Sequence, residues 1–282
     1  MNGLDSQYER DLLWAVNSPP LMKLDDEPSC QLPVLESSDI DQEHLVRWLG
    51  DTSSWRLGHY FERLIFYWIS FVRRCRVVAC SQQIIIDKRT KGEIDFLFVD
   101  ESGRLTHWET AVKFYLHVRQ GEMDSFIGPN ANDTLQKKWE RLLNHQLRLS
   151  IEYFPDVEVR QAYVKGRLFY QDTMPSTDPM NGEMNPGHLS GRWVRLKDFS
   201  SFLRSQELRY CLLPKPFWLA EQCRGSSNLT FLDSEGVIEE VSNHFRRENR
   251  PVLIASFEGD SASSAESERI FVVPNNWPAH SG

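Results

Sequence analysis

Two β-strand patterns joined by a short turn occupy residues 92–115, which read GEIDFLFVDESGRLTHWETAVKFY. In the first strand, Ile94, Phe96 and Phe98 alternate with Asp95, Leu97 and Val99. The segment from Asp100 to Gly103 then has the acidic, serine and glycine residues that are typical of a chain reversal. The return strand is predicted from about Arg104 to Tyr115. This stretch therefore predicts an antiparallel hairpin, and no other part of the chain limits the possible folds as strongly.

Three charged side chains interrupt this apolar hairpin. Asp95 lies on the first strand, and the alternation of the second strand puts His107, Glu109, Ala111 and Lys113 on one face. Charges are rare on such apolar strands unless they are paired. Two acids and an amine on adjacent strands are the minimum set for a divalent-metal phosphodiesterase. The alternative is a buried salt bridge of Lys113 with either acid, although such pairs seldom add net stability.

The size and composition of the chain favour a folded protein without membrane spans. Its 282 residues, 40% of them hydrophobic, suffice for one large domain or a core with extensions. No apolar run approaches the roughly 20 residues that span a bilayer, and the acidic N-terminus does not resemble a secretory signal. The five cysteines match no zinc-binding spacing, so we expect reduced thiols and a cytoplasmic location.

The net charge of −8 is distributed unevenly. Residues 1–55 contain 3 Lys and Arg against 11 Asp and Glu, whereas residues 56–120 contain 11 against 7. The segment with the acidic hairpin is thus mildly basic, which suits a site that meets phosphate. It lacks the strong basic stripe of a tight, non-specific duplex binder.

The predicted elements follow the order helix, three strands, helix, strand. The helices are predicted at 58–74 and 133–150, the outer strands at 77–86 and 158–170, and loops at 121–132 and 174–191. A further helix is predicted at 195–208. We divide the chain into an N-terminal helical and loop extension packed on the core (1–55), an α/β core (56–210) and a partly flexible C-terminal extension (211–282).

Several phrases resemble an uncharacterised bacterial family, domain of unknown function 1853, and they span most of the chain. The phrases are SPPL (18–21), LGHYFERL (57–64), GEIDFL (92–97), HWETAVKFY (107–115), GPNANDTL (128–135) and PKPFWLA (214–220). The order of elements and the positions of the acids also resemble the PD-(D/E)XK nuclease superfamily. That resemblance implies a restriction-endonuclease-like α/β fold with a mixed sheet flanked by helices.

The superfamily resemblance implies roles for individual residues. Asp95 and Glu109 would ligate Mg²⁺ or Mn²⁺, with Lys113 and the helix-borne Glu62 completing the catalytic set. Lys137, Arg141 and Gln146 on the following helix would contact the substrate. The implied function is metal-dependent hydrolysis of phosphodiester bonds in DNA or, less favoured, RNA.

The chain departs from the superfamily pattern at one position. The acid is expected two residues before the lysine, where this chain has Ala111, and Glu109 lies two residues earlier, about 6.6 Å along the strand. Either the metal site is displaced toward Glu109 or it is degenerate. An inactive nuclease-fold protein that binds nucleic acid or another protein is therefore the alternative. A scaffold without a nucleic-acid partner is a third reading, and it rests on the net charge.

Overall fold

A computed structural model describes residues 3–23, 33–50, 52, 56–120, 123–171, 180, 182–203, 208–225, 229–259, 261 and 264–278. Seven α-helices and nine β-strands lie in these ranges. The helices are α1 (Gly3–Asn17), α2 (Gln42–Leu49), α3 (Leu57–Tyr67), α4 (Leu135–Arg141), α5 (Leu147–Tyr153), α6 (Leu196–Phe202) and α7 (Ser234–Arg247). The strands are β1 (Arg76–Ile86), β2 (Arg89–Val99), β3 (Leu105–Gln120), β4 (Met123–Ile127), β5 (Val159–Tyr170), β6 (Leu189–Arg195), β7 (Leu208–Leu213), β8 (Val252–Glu258) and β9 (Glu266–Val273).

All nine strands join one mixed sheet, which confirms the predicted α/β class. Its order is β1-β2-β3-β5-β6-β9-β8-β7, and β4 pairs with the far end of β3. The strands β1, β2 and β3 form an antiparallel meander. The strands β3, β5, β6 and β9 run parallel, and β8 and β7 continue antiparallel.

The predicted order of helix, three strands, helix and strand is found in α3, β1 to β3, the α4–α5 segment and β5. Both helical segments contain a wider π turn, at Trp68–Val72 after α3 and at Leu142–Gln146 between α4 and α5. The helix predicted at 195–208 ends at Phe202 as α6, and β6 begins inside the loop predicted at 174–191. The parts of these predictions that fall on 174–179, 181 and 204–207 lie outside the described residues.

The loop predicted at 121–132 is wrong for Met123–Ile127, which form β4. Asp124 and Ser125 interrupt the apolar alternation of this segment, so no strand pattern is visible in the sequence. The strand forms because β3 offers a long edge for pairing and because His117 Nε2 lies 2.9 Å from Asp124 Oδ1.

The C-terminal segment belongs to the central sheet. The boundary set between residues 210 and 211 falls inside β7, and β9 pairs in parallel with β6. Residues 211–282 therefore contribute two complete strands to the sheet rather than a separate appendage. No sequence signal near residue 210 reveals this, because the pairing of β6 with β9 joins residues that lie 78 positions apart in the chain.

Helices cover both faces of the sheet. The largest cluster of buried side chains joins α1, α2 and α3 to one face, and α4 to α7 pack in three smaller clusters. The apolar character of α3 on nearly all sides agrees with its burial, and Trp108 stacks on Tyr163 at 4.9 Å between ring centroids. None of the helices in the described part of the chain has the length and apolar character needed to cross a bilayer.

Gly166 allows β3 and β5 to approach each other beside Lys113. The two residues are partners in the parallel register, and a Cβ atom at Gly166 would lie 1.8 Å from the Lys113 carbonyl oxygen. The backbone φ of Gly166 is +146°, which residues with a side chain rarely adopt. Only glycine therefore fits at this position without moving one of the two strands.

We expect Gly166→Ala to lower the free energy of unfolding by about 3 kcal/mol, because the variant combines overpacking with backbone strain. Denaturant unfolding measures the change. Gly103→Ala is the control, since Gly103 also has a positive φ (+82°) but no described atom lies within 4 Å of the place that an alanine Cβ would take. Equal losses in the two variants would contradict the close contact at Lys113.

Candidate active site

The strands β2 and β3 separate where the acidic residues lie. Their pairing runs from Val99 and Leu105 to Phe96 and Trp108 and goes no further. Past this fork, the backbone N–H of Thr110 donates to Asp95 Oδ2 at 2.8 Å. A carboxylate thus takes the place that a carbonyl of β2 would fill in a continuous ladder. The fork fixes Asp95 against β3 and leaves part of the β3 edge without a neighbouring strand in the described chain.

Glu109 is buried at the same fork, with 1% of its surface exposed. Its Oε2 accepts a hydrogen bond from Gln146 Nε2 at 2.7 Å, and its Oε1 lies 2.8 Å from His107 Nε2. The backbone N–H of Asp95 also donates to Oε1, at 3.4 Å. Gln146 ends the π turn between α4 and α5, so the wider turn presents this side chain to Glu109.

A buried hydrogen-bond chain supports Glu109 from behind. His107 Nδ1 lies 2.8 Å from Ser150 Oγ, and Arg160 Nε donates to the same hydroxyl oxygen at 3.0 Å. Burial lowers the pKa of His107 to about 4, so its ring is neutral at neutral pH. A neutral ring offers one donor and one acceptor, so the two ring nitrogens of His107 can bridge Glu109 and Ser150. His107 is therefore a positioning residue for Glu109.

Glu62 brings a third carboxylate to the site from α3. Burial raises its pKa to about 7, and the charges of Asp95, Glu93 and Glu109 add to the shift. Its Oε2 lies 3.9 Å from His59 Nδ1, and its side chain is 35% exposed. From the sequence, Glu62 is equally compatible with a role in the site and with a structural role as a charge in the first turn of the helix. The electrostatic interaction of Glu62 with both hairpin acids places it in their neighbourhood.

The two hairpin acids hold their protons far more tightly than ordinary carboxyl groups. Burial raises the pKa of Asp95 to about 7, and the charge of Glu109 adds to this effect. Burial also raises the pKa of Glu109 to about 7, against the hydrogen bonds from Asp95 and Gln146 that lower it. Burial and mutual repulsion therefore make it costly to ionise all three carboxyl groups at once.

Lys113 does not neutralise these acids by direct contact. In the described part of the chain, its ammonium group is in no ion pair within 4 Å, so the salt bridge considered as an alternative is absent. Burial lowers the pKa of Lys113, and the charge of Lys138 contributes, while Asp133, Glu62 and Asp95 oppose the shift. The amine is thus available for another partner.

A cleft of about 1100 Å³ begins at Lys113. Residues 112–115 of β3 and the loop 128–133 form one wall, and β7, β8 and the C-terminal end of α7 form the other. Three strands separate β3 from β8 in the sheet, so the sheet must curve strongly for both to line one cleft. Lys113, Lys215 and Arg250 outnumber the acidic Asp133 and Glu248 along the walls.

The other residues predicted for the site lie on the helical segment beyond β4. Lys137 and Arg141 are exposed on α4, where a substrate can reach them. Gln146, predicted to contact the substrate, is bound to Glu109 instead. Ala111, which takes the position of the expected acid, is partly buried against the same apolar cluster as Leu143 and Leu147.

The donor set fits a hard divalent cation that keeps several water ligands. Asp95 Oδ1 accepts no hydrogen bond from the described residues, and burial together with the charges of neighbouring acids raises the pKa values of Asp95, Glu109 and Glu62. Oxygen ligands of this kind suit Mg²⁺ or Mn²⁺. In the described residues, however, no group of three or more His, Cys, Asp or Glu side chains is arranged to enclose a metal ion. Asp95 and Glu109 would hold the cation together with water and phosphate oxygens.

Fold and site together define a mixed α/β protein with a carboxylate cluster at a fork in its sheet. The chain belongs to the family described as "Domain of unknown function (DUF1853)", whose model matches residues 10–273. No curated protein matches the chain at a significant level.

Proposed function

We propose that this protein is a nuclease that uses Mg²⁺ or Mn²⁺ to hydrolyse phosphodiester bonds in DNA or, less favoured, RNA. The single observation that carries the proposal is the contact between Asp95 and Glu109 where β2 and β3 separate. Glu62 and Lys113 interact with this pair through their charges. The same proposal includes a restriction-endonuclease-like fold of the PD-(D/E)XK type, whose core consists of α3, β1 to β3, the α4–α5 segment and β5.

Each group has a role that follows from its position. A cation at Asp95 and Glu109 would neutralise the phosphate and lower the pKa of a bound water. Asp95 is anchored by the Thr110 N–H, and Glu109 by Gln146 and His107, so both carboxylates are oriented before substrate arrives. Preorganised ligands of this kind need little rearrangement during the reaction.

Lys113 and Glu62 act at the edge of the carboxylate cluster. An ammonium group with a lowered pKa and no ion-pair partner among the described residues can stabilise negative charge on the phosphorane or orient the attacking water. Glu62, with a pKa of about 7, can accept a proton at neutral pH. In this proposal, Lys137 and Arg141, which are exposed on α4, contact the nucleic-acid backbone.

The alternative is a catalytically inactive member of the same fold that binds nucleic acid or another protein. One observation that favours it is that Ala111 takes the position of the expected acid, where it packs as a partly buried apolar side chain. Lys113 also lies four residues beyond Glu109, about 13 Å along the strand, which is farther than the superfamily pattern requires. The scaffold reading draws support from the net charge of −8 alone.

The setting that we propose is the cytoplasm of a bacterium, following the family resemblance. The four cysteines in the described residues, Cys75, Cys80, Cys211 and Cys223, are free thiols. Free thiols suit a reducing compartment.

Titration calorimetry with Mn²⁺ and cleavage assays on linear duplex, single-stranded DNA and RNA test the proposed function together. We expect the wild-type protein to bind the cation and to cut at least one substrate only when the cation is present. Cation binding without cleavage of any substrate would favour the inactive binding module. Cation-independent cleavage that survives chelation would contradict the metal-dependent mechanism.

A further inference from the structure

We propose that the tip of the β1–β2 hairpin, residues 85–91, is an arm that enters a groove of duplex DNA next to the carboxylate site. The inference rests on the proposed function and adds to it the form of the substrate. It starts from the part of β2 that precedes the fork. Between Arg89 and Asp95, this strand pairs with β1 alone among the described strands, so the two form a ribbon beyond the body of the sheet.

The ribbon tip is exposed on both faces. Every residue from 85 to 91 is exposed, whereas Ile84 and Ile94 at its base are buried against α5. Asp87 and Lys88 form its turn with φ values of 51° and 62°, the left-handed backbone that a two-residue hairpin turn requires. The helix therefore holds the base in place while the tip projects into solvent.

The tip combines basic and apolar side chains, which suit a groove of a polyanion such as duplex DNA. Lys88, Arg89 and Lys91 lie within four residues, against the single acid Asp87. Ile85 is 58% exposed and Ile86 is 39% exposed, so the tip holds two of the six most exposed large apolar side chains in the described chain. Proteins that bind DNA grooves typically combine two kinds of side chain. Basic side chains neutralise phosphates, and neighbouring apolar side chains contact sugars or unstack bases.

The shape and composition of the ribbon favour duplex over single-stranded DNA. A two-stranded ribbon fits the major groove, which is about 12 Å wide. Residues 81–93 include no aromatic side chain, and proteins that bind single strands depend on aromatic stacking. Arg89 lies six residues before Asp95, about 20 Å along the strand. At about 3.4 Å per step, a duplex with one phosphate at Asp95 reaches the tip within about six base pairs.

A matched pair of variants tests the arm. Lys88→Gln/Arg89→Gln removes two positive charges from the tip, and Arg246→Gln/Arg247→Gln removes two exposed charges from α7, which packs at the opposite edge of the sheet. Fluorescence anisotropy measures the affinity of each for a labelled duplex of about 30 base pairs, several times the reach estimated above, and for one of its single strands, with Ca²⁺, across a salt series. A third variant, Ile85→Ser, removes apolar surface without changing charge.

We expect the tip pair to bind the duplex at least about tenfold more weakly and to lower the slope of log K against log salt by about 2, since each lost phosphate contact contributes about 0.9. The α7 pair should change neither quantity by more than twofold. Ile85→Ser should weaken duplex binding while the salt slope stays the same. Single-strand affinity should fall less than duplex affinity in the tip pair.

Two kinds of result would overturn the inference. The first kind rules out DNA binding by the arm but leaves nuclease activity possible. It comprises wild-type-like duplex binding by the tip pair, equal losses in the α7 pair, and binding of the single strand alone. If the wild-type protein neither binds nor cuts any DNA, both the arm and the proposed action on DNA are wrong.

Discussion

Asp95→Asn will abolish metal-dependent hydrolysis, with a loss of at least about a hundredfold in rate. A metal ion supplies several kcal/mol of transition-state stabilisation, and each 1.36 kcal/mol corresponds to a factor of about ten. Asn is nearly isosteric with Asp, and its amide oxygen can accept the N–H of Thr110 as the carboxylate oxygen does. The variant should therefore keep the fold and lose the negative charge that holds the cation.

Initial rates of cleavage with saturating Mn²⁺ check this result, together with calorimetric binding of the cation. Glu93→Gln is the matched control, since Glu93 is an exposed acid two residues away on the same strand. It should retain activity within about threefold, the change expected of a surface charge that affects the site only through its field. Similar losses in both variants would mean that general charge, not ligation by Asp95, determines the rate.

The metal-free protein will become less stable as the pH rises from about 5 to about 8, and the double variant Asp95→Asn/Glu109→Gln will be more stable than the wild type at pH 8. The native pKa values of Asp95 and Glu109 are about 7, against ordinary values of 3.8 and 4.5. The native state thus binds more protons than the unfolded state between these values. The stability that these protons contribute is greatest below the unfolded pKa and is lost as the pH passes the native pKa.

The expected gain at pH 8 is at least roughly 2 kcal/mol, because one pKa unit corresponds to about 1.4 kcal/mol and the two acids share their repulsion, so that their shifts do not add. For a chain of 282 residues, a gain of about 2 kcal/mol raises Tm by about 3–4 °C. Thermal unfolding at pH 5 and pH 8, with and without Mg²⁺, measures the effect. The difference between the variant and the wild type should be small at pH 5, where the acids are protonated in the native state.

Mg²⁺ should raise the Tm of the wild type at pH 8 and leave that of the double variant unchanged. A cation that binds only the native state stabilises it by about 2.7 kcal/mol at a hundred times its dissociation constant. A double variant less stable than the wild type at pH 8 would show instead that the acids support the fold. Such a result would favour the inactive binding module, since a carboxylate cluster kept for structure has no need of a cation.

The hairpin acids illustrate how far sequence reasoning reaches. Strand periodicity puts Asp95 on one strand and Glu109 and Lys113 on one face of the next, and the turn at Asp100 to Gly103 brings the strands together. These are local properties, fixed by side-chain alternation and turn composition. The mixed α/β class, the burial of α3 and the helical segment from Leu135 follow from similar local patterns.

Local sequence patterns suffice to predict the residues of the hairpin, the side chains that share a strand face and the burial of α3. Each of these properties depends on residues only a few positions apart in the chain. The hydrogen bond from Gln146 to Glu109 is visible only in the folded protein, and so is the chain of His107, Ser150 and Arg160 behind Glu109. The same holds for the finding that Lys113 forms no salt bridge with the described acids. The tertiary structure alone showed that β9 pairs with β6, since the partners lie far apart in the chain. Hydrogen bonds and strand pairing between distant segments depend on how the whole sheet closes, and no local pattern encodes that closure.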